Sequence, residues 1–293
     1  MKVRANWCTY VKEKNMSIKV FNPITPGLRK RSTMIRQSGN INEPKKNLIE
    51  ALKKHSGRNH SGKITVRHQG SGVKQYYRKV DFYQTEFLDK EAKVMKFEYD
   101  PNRNCEIMLV LFENGIYKYY LGTEGVKVGD KLITSNSRIF VREGNRMPLE
   151  FIPSGTFVSN IELFPQSGGK IGRSAGNYSV LMGFDGEFAQ LKMPSSEIRL
   201  VNKKCLATVG SITNSEFKNI RWGKAGRMRY RGIRPSVRGK AMNAKNHPHG
   251  GGRGVVGIGL KAPKNVYGKK ALGVRTRNPK KFTGKFILTR RTK

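Results

Sequence analysis

Residues 105–121, with the sequence CEIMLVLFENGIYKYYL, decide the class of fold of this chain. Two short apolar runs, Cys105–Phe112 and Ile116–Leu121, stand on either side of Glu113-Asn114-Gly115. Asn-Gly tolerates the positive φ angles of a tight primed turn, and apolar runs of this length are typical of strands. The stretch therefore predicts a β-hairpin within an antiparallel β protein.

The same pattern extends on both sides of this hairpin, from about residue 63 to residue 212. Short apolar or alternating runs recur at the roughly 8–12-residue spacing of small all-β domains, and Asp185-Gly186 is a second hairpin signal. The other predicted strands are Ile64–His68, Lys93–Tyr99, Val126–Ile133, Arg138–Val141, Thr156–Phe164, Asn177–Met182, Glu187–Met193, Ile198–Val201 and Leu206–Ile212. Pro148 and Pro153 interrupt the series, so we expect two small antiparallel barrels in tandem; a single larger sandwich is the alternative.

The segments that flank the β region lack this pattern. Residues 18–62 look loop-like apart from one short helix predicted over Pro44–Lys54, where Pro occupies the first turn and apolar residues follow at helical spacing. After Ile212 only a helical turn around Glu216–Ile220 is predicted, and the remainder looks extended.

Charge is distributed very unevenly along the chain. The last 77 residues, Phe217–Lys293, hold 23 Lys or Arg and no Asp or Glu, and the whole chain of 293 residues carries a formal net charge of +38. Ordering a backbone costs roughly 1–2 kcal/mol per residue, and this Gly-rich segment has little apolar surface to offset that cost. We therefore expect it to order on a polyanion, for which nucleic acid is the leading candidate.

Composition and patterning argue against several other classes of protein. No apolar run approaches the roughly 18 residues needed to span a bilayer, so no membrane partner is expected. Cys8, Cys105 and Cys205 lie far apart, and neither a disulfide framework nor a cysteine zinc site is expected. Residues 1–17 lack the apolar core of a secretory signal, and a cleaved transit peptide is the less favoured alternative to an uncleaved extension.

The densest basic motif is RMRYRGIRPSVRG at Arg227–Gly239. Its arginines are separated by Gly, Pro and other uncharged residues. An arginine fork pairs two phosphate oxygens and stacks on unstacked bases, and Gly lets the backbone approach a crowded ligand. The motif favours threading along RNA over the alternatives, a solvated basic linker or a localisation signal.

The string NHPHGGG at Asn246–Gly252 holds two histidines, His247 and His249, beside three glycines. Their i, i+2 spacing is not that of a helical zinc pair, and no carboxylate follows them that could orient a catalytic imidazole. We expect neither a metal nor catalysis here, and predict a glycine run pressed against nucleic acid. His68–Lys74 lacks the Gly-Lys-Ser/Thr ending of a nucleotide loop, which indicates a basic turn on a barrel rim and no nucleotide cofactor.

Taken together, these strings closely resemble the family of large ribosomal subunit protein two, in its bacterial and organellar form. The match covers about residue 18 to the end of the chain, and the strings that carry it occur in order. They are 56–59 (SGRN), 62–65 (GKIT), 67–68 (RH), 74–75 (KQ), Arg78, 80–82 (VDF), 98–103 (EYDPNR), 173–176 (RSAG), 223–226 (GKAG), 231–232 (RG), 234–235 (RP), 237–239 (VRG), 241–243 (AMN), 247–252 (HPHGGG), 271–273 (ALG), 276–277 (TR) and 285–287 (KFI).

The resemblance implies a mainly β fold in which an oligonucleotide-binding-fold barrel is followed by an SH3-like barrel, with long basic non-globular extensions at both ends. The expected boundaries are 1–62 for the N-terminal extension, 63–146 for the first barrel, 147–215 for the second barrel and 216–293 for the basic Gly-rich tail.

The resemblance also implies a structural constituent of the large ribosomal subunit, with no catalytic residue, metal or cofactor. The implied partners are large-subunit ribosomal RNA, other proteins of that subunit and, at the subunit interface, the small subunit. Support of the region around the peptidyl-transferase centre and of subunit association is implied as well. The residues expected to contact RNA are Arg58, Asn59, Lys63, Arg67, His68, Lys74, Arg78, Arg103, Arg173, Arg221, Lys224, Arg227, Arg229, Arg231, Arg234, Arg238, Asn243, His247, His249, Gly250, Gly251, Gly252 and Arg277.

Three features depart from the family pattern. The loop 70–74 reads GSGVK where three glycines and a His are usual, Tyr267 stands where a Trp is usual, and residues 1–17 have no counterpart in a typical bacterial member. The N-terminal extension and a composition rich in Lys, Asn and Ile predict a mitochondrial ribosome; the bacterial cytoplasm and the plastid are the alternatives. Two alternative functions are a histidine- or metal-dependent hydrolase on a β-barrel and a histone-like DNA-binding protein.

Overall fold

The computed structural model describes residues 18–38, 43–253 and 257–291 of the chain. These residues fall into two compact units. The barrel unit lies within Met1–Leu52, Gln75–Lys224 and Leu288–Lys293, and the basic unit lies within Lys53–Lys74 and Ala225–Ile287. The extension predicted at 1–17, with Cys8, lies outside the described residues.

Strands dominate the secondary structure, as the sequence predicts. The strands are β1 (Ile18–Val20), β2 (Ser32–Met34), β3 (Ile49–Ala51), β4 (Tyr76–Arg78), β5 (Glu91–Tyr99), β6 (Glu106–Phe112), β7 (Tyr117–Leu121), β8 (Lys131–Ile133), β9 (Arg146–Pro148), β10 (Phe157–Ser159), β11 (Ile161–Glu162), β12 (Gly169–Ile171), β13 (Ser179–Asp185), β14 (Phe188–Lys192), β15 (Ile198–Asn202), β16 (Leu206–Val209) and β17 (Ile287–Thr289). The helical elements are α1 (Ala225–Tyr230) and short 3-10 turns at Lys46–Leu48, Leu149–Phe151, Ser215–Asn219, Gly239–Ala241 and Phe282–Phe286.

The first barrel is built on a four-stranded antiparallel sheet in the order β7-β6-β5-β8. The hairpin predicted from residues 105–121 is confirmed, because β6 pairs with β7 and Gly115 at the turn has a φ of 77°. β6 is buried on both faces, which explains its continuous apolar run. Met108 and Val110 pack into one apolar cluster, whereas Ile107 and Leu109 pack into another.

The second barrel is built on a seven-stranded sheet in the order β17-β15-β14-β13-β10-β16-β9. The hairpin predicted at Asp185-Gly186 joins β13 to β14, and Gly186 has a φ of 56°. Its core includes the fully buried Met147, Leu181 and Leu191. Two sheets with separate cores match the expected pair, an oligonucleotide-binding-fold barrel followed by an SH3-like barrel. The residue boundaries predicted for the domains stay predictions.

A buried ion pair joins β9 to β11 in the second barrel. Arg146 and Glu162 are both inaccessible to solvent, and their side chains approach to 3.3 Å. Burial lowers the pKa of Arg146, and the negative charge of Glu162 opposes that shift. The Glu162 carboxylate also accepts three backbone N–H groups, from Gln166 at 3.1 Å, Gly168 at 3.2 Å and Leu206 at 3.2 Å.

The prediction of a helix over Pro44–Lys54 is wrong. A single 3-10 turn at Lys46–Leu48 leads directly into β3, which pairs antiparallel with β4. The N–H of Lys45 donates to the Tyr119 hydroxyl over 2.9 Å, so tertiary contacts override the helical spacing of the apolar residues. The loop-like interpretation of residues 18–62 is also wrong at β1 and β2, which form an antiparallel pair.

Two predicted strands do not form. Within Ile64–His68, only Ile64 forms an isolated β-bridge. Ile64 and Val66 are 60% and 55% exposed, so these alternating apolar residues do not belong to a strand that faces the core. Residues Arg138–Val141 form no strand either. The strand predicted over Val126–Ile133 is shortened to β8, because Gly129 has a φ of 96° in the preceding turn.

Candidate nucleic-acid interface

The basic unit joins two segments of the chain that are far apart in sequence. Residues 53–74 contain 6 Lys or Arg, residues 225–287 contain 17, and neither segment contains Asp or Glu. Their backbones pair: the N–H of Gly70 donates to the Gly232 carbonyl over 2.6 Å, and that of Val73 donates to the Tyr230 carbonyl over 2.9 Å. Many like charges are thereby held on one small scaffold.

Gly72 permits this close pairing. Its φ is +62°, and a β-carbon at position 72 would lie 2.5 Å from the Tyr230 carbonyl oxygen. Glycine is the residue that tolerates both the positive φ and the close backbone approach. The loop predicted as a basic turn on a barrel rim therefore packs against the arginine motif within the basic unit.

The first part of the arginine motif is helical, which corrects the expectation of an extended segment. Arg227 and Arg229 lie on α1, which contains the good helix formers Ala, Arg and Met. The helix ends before Gly232, which has a φ of +85° and whose N–H donates to the Arg229 carbonyl over 3.0 Å.

The basic unit contains an open cleft of about 440 Å³ that brings four predicted RNA contacts together. We call it the arginine cleft; it is lined by Ser56, Arg58, Ile64, Val66, Arg67, His68, Gln69, Arg234 and Pro235. Arg58, Arg67, His68 and Arg234 are all exposed. Guanidinium forks beside exposed apolar side chains suit a ligand that carries both phosphates and flat apolar groups.

Asn59, next to the arginine cleft, has a role within its own loop. Its side-chain oxygen accepts the backbone N–H of Lys63 over 3.0 Å and the hydroxyl of Ser61 over 2.8 Å. The amide therefore fixes the loop that exposes Lys63, and its interactions favour a positioning role over a direct RNA contact.

The predicted string 247–252 forms part of a folded loop, which we call the histidine loop (242–252). His247 is buried, and its Nδ1 accepts the backbone N–H of His249 over 3.0 Å. The Nε2 of His249 accepts the N–H of Lys264 over 2.8 Å. Each imidazole thus uses one nitrogen as an acceptor for the backbone, which supports the structural interpretation of these histidines.

The three glycines of the histidine loop differ in their surroundings. A β-carbon at Gly250 would lie 2.2 Å from the carbonyl oxygen of Asn243, so this glycine is pressed against protein backbone. Gly251 and Gly252 are exposed and have φ angles of +88° and +68°. The predicted approach of bare glycine backbone to nucleic acid is therefore available at the last two positions of the run.

Replacing Gly250 by alanine should open the histidine loop locally, because the added methyl group collides with the Asn243 carbonyl. We expect a destabilisation of about 1–3 kcal/mol in this loop, the common range for a single unfavourable substitution. Hydrogen exchange should accelerate at the N–H groups of Gly250 and Gly251, which donate to His247 and Met242. Gly257→Ala is the matched control, because no described atom lies within 4 Å of its added β-carbon. Equal exchange in both variants would contradict the prediction.

The barrel unit has a second group of predicted contacts, at an open cleft of about 350 Å³ that we call the aromatic–arginine cleft. It is lined by Tyr77, Phe82, Asn102, Arg103, Asn104, Arg173 and Ser174. The Arg173 guanidinium lies 4.6 Å from the Phe82 ring centroid, and that of Arg103 lies 5.1 Å from the Tyr77 ring centroid. Arg103 also pairs with the buried Asp100, which directly follows β5. The cleft combines oriented cations with aromatic faces.

The other predicted contacts in the barrel unit are placed very differently. Arg78 is only 4% exposed, and its guanidinium donates to the Tyr76 carbonyl over 2.9 Å, which favours a structural role. Arg221 and Lys224 are exposed. Arg221 follows the second barrel, and its backbone N–H donates to the Ser32 hydroxyl over 2.8 Å, so the N-terminal β-hairpin fixes this part of the chain.

The set expected to contact RNA thus divides by exposure. Most of its members are exposed, a few are half-buried and two are buried. The half-buried members are Asn59, Arg103, Arg227, His249 and Gly250, and the buried members are Arg78 and His247. The exposed members are Arg58, Lys63, Arg67, His68, Lys74, Arg173, Arg221, Lys224, Arg229, Arg231, Arg234, Arg238, Asn243, Gly251, Gly252 and Arg277.

Sequence reasoning missed the aromatic floor of the aromatic–arginine cleft. Phe82 lies within one of the strings that carry the family resemblance and Tyr77 directly precedes Arg78, but their spacing alone does not place them under Arg103 and Arg173. The available signal was aromatic residues interleaved with Lys and Arg over residues 74–82. That pattern is typical of surfaces that stack on bases.

The described parts of the chain offer little support for a reactive cysteine, a metal site or a membrane-spanning helix. Burial raises the pKa of the Cys105 thiol to about 11 and that of the Cys205 thiol to about 12, so both are protonated at neutral pH. Within 18–38, 43–253 and 257–291, no three His, Cys, Asp or Glu side chains are grouped as metal ligands would be. Over the same ranges, no helix has the length and apolar character required to cross a bilayer.

Comparisons with known proteins agree along most of the chain. The model of the family described as "Ribosomal Proteins L2, RNA binding N-terminal domain" matches residues 45–134, and "Ribosomal Proteins L2, C-terminal domain" matches residues 142–268. The chain is 49% identical over 254 residues to the "Large ribosomal subunit protein uL2" of Mycoplasma pneumoniae, which covers 86% of this chain and 88% of the relative. It is 46% identical over 276 residues to the protein of the same name from Paracoccus denitrificans, which covers 94% and 98%. The chain therefore belongs to the ribosomal protein L2 family.

Proposed function

We propose that the chain is held in large-subunit ribosomal RNA by the arginine cleft, the exposed glycines of the histidine loop and the aromatic–arginine cleft. As a member of the L2 family, it is a structural constituent of the large ribosomal subunit that binds ribosomal RNA. Other proteins of that subunit are its further partners.

The arginine cleft carries this proposal. Three arginines and a histidine converge on one open cleft in a unit whose described residues contain no carboxylate. Such a site has no internal counter-ion, which favours binding of an external polyanion. The exposed Ile64 and Val66 between the cations favour RNA, which offers sugars and unstacked bases as well as phosphates.

Finer assignments are part of the proposal. Support of the peptidyl-transferase region, a role in subunit association and contact with the small subunit follow from the family resemblance. A mitochondrial ribosome stays a prediction, because the family matches do not distinguish a bacterial from a mitochondrial location. The hydrolase and histone-like alternatives gain no support from the family matches.

Binding of the full chain to a folded large-subunit rRNA fragment tests the proposal. We expect a clear preference over duplex DNA of equal length, and a loss of at least about tenfold in affinity for each of Arg58→Gln and Arg67→Gln, because hydrogen bonds to charged groups contribute about 1.5–3 kcal/mol. Lys203→Gln is the control, because Lys203 pairs with Glu187 over 2.9 Å at the surface of the barrel unit. Equal affinity for duplex DNA, or equal losses in all three variants, would refute it.

A further inference from the structure

A third open cleft, also in the barrel unit, contains none of the residues expected to contact RNA. Its volume is about 560 Å³, and we call it the apolar cleft. Tyr178, Met193 and Phe217 contribute its apolar lining, and Lys192 and Lys218 line it as well. The described residues that line it include no Asp or Glu.

The aromatic surface of the apolar cleft is held in place by its neighbours. Tyr178 is 40% exposed, and its ring centroid lies 4.5 Å from that of Phe157. The ring of Phe217 lies 6.3 Å from that of Trp222, in an edge-on arrangement. A flat ligand that packs on these rings therefore loses little side-chain entropy from the protein.

The apolar cleft is continuous with the aromatic–arginine cleft. Asn104 and Ser174 line both clefts, and each is adjacent in sequence to one of the two arginines, Arg103 and Arg173. An RNA strand with a phosphate at these arginines therefore reaches the apolar cleft with its next nucleotides. Continuity and positive charge favour RNA over an apolar peptide as the occupant.

We propose that the apolar cleft holds an unstacked base of ribosomal RNA, with the exposed face of Tyr178 against the base and Lys192 and Lys218 near the flanking phosphates. This inference rests on the proposed function and adds a base-stacking site to it. Stacking on aromatic side chains is tolerant of sequence, so the site recognises a looped-out nucleotide rather than one particular base.

Photochemical cross-linking of the full chain to a 4-thiouridine-substituted rRNA fragment tests the site. We expect adducts on the peptides that contain Met193 and Phe217. Tyr178→Ala should weaken occupancy about 5- to 150-fold, the range found for removing one stacking partner, whereas Tyr178→Phe should preserve it. Phe140→Ala is the control, because Phe140 is 82% exposed in the barrel unit and lines neither cleft.

Lys218→Glu gives a second measurement that leaves the aromatic rings in place, and it should also reduce the adducts at Met193. Retained rRNA affinity without adducts in the cleft, or adducts unaffected by Tyr178→Ala and Lys218→Glu, would overturn the base site and leave the proposed function intact. If the chain without substitutions bound the rRNA fragment no more tightly than duplex DNA, the proposed function itself would be overturned.

Discussion

Raising the salt concentration from 50 to 200 mM should weaken binding of the full chain to its rRNA fragment by about 10³–10⁵-fold. This is the loss expected when 6–10 phosphate contacts release their counterions. The predicted set supplies enough charges, because twelve of its exposed members are Lys or Arg. The association constant is measured at several salt concentrations, and its logarithm is plotted against the logarithm of the salt concentration.

Single substitutions separate interface charges from ordinary surface charges in that titration. Arg234→Gln should lower the slope by about one counterion, as expected for one phosphate contact. Lys131→Gln should leave the slope unchanged, because Lys131 pairs with Glu91 over 2.6 Å at the barrel surface. A flat salt response, or an equal effect of the two substitutions, would contradict phosphate binding by the arginine cleft.

Glu162→Gln should destabilise the second barrel by about 3–5 kcal/mol, because it leaves the buried Arg146 without its counter-charge. The amide also removes part of the acceptor capacity that serves the N–H groups of Gln166, Gly168 and Leu206. Chemical denaturation followed by intrinsic fluorescence measures the change. The effect is expected in the isolated protein, without RNA.

Two further variants test whether this loss comes from an unpaired buried charge. Glu187→Gln removes one partner of the exposed pair with Lys203 and should leave the denaturation midpoint nearly unchanged. The double variant Arg146→Met with Glu162→Gln should recover part of the stability that Glu162→Gln loses, because no buried charge is left unpaired and the amide oxygen still accepts backbone N–H groups. A double variant that is less stable than Glu162→Gln alone would show that shape, and not charge, controls this part of the core.

The fold was largely predictable where local signals and core packing agree. Asn114-Gly115 and Asp185-Gly186 determine their hairpins through turn chemistry, and β6 has the continuous apolar run of a strand buried on both faces. Prediction failed where long-range contacts decide. The helical spacing over Pro44–Lys54 gave way to pairing of β3 with β4, and the apolar residues Ile64 and Val66 face solvent.

The candidate interface was predictable in composition but not in arrangement. The residue types and the family strings pointed to Arg58, Arg67 and Arg234, yet only the folded basic unit brings them to one cleft. Arg78 was expected to contact RNA but is buried. The residues around it in the sequence do not distinguish a buried arginine from an exposed one. Arg78 lies on β4, and the pairing of β4 with β3 does not follow from the local sequence.

The discontinuity of the basic unit has a consequence for how the protein is made. Gly70 and Val73 find their backbone partners only after the intervening residues 75–224 have left the translating ribosome. At synthesis rates of about 5–20 residues per second, that delay is roughly 8–30 s. During this interval the cationic segment Lys53–Lys74 is accessible to polyanions and chaperones. Assembly factors that shield it should therefore act before translation of the chain is finished.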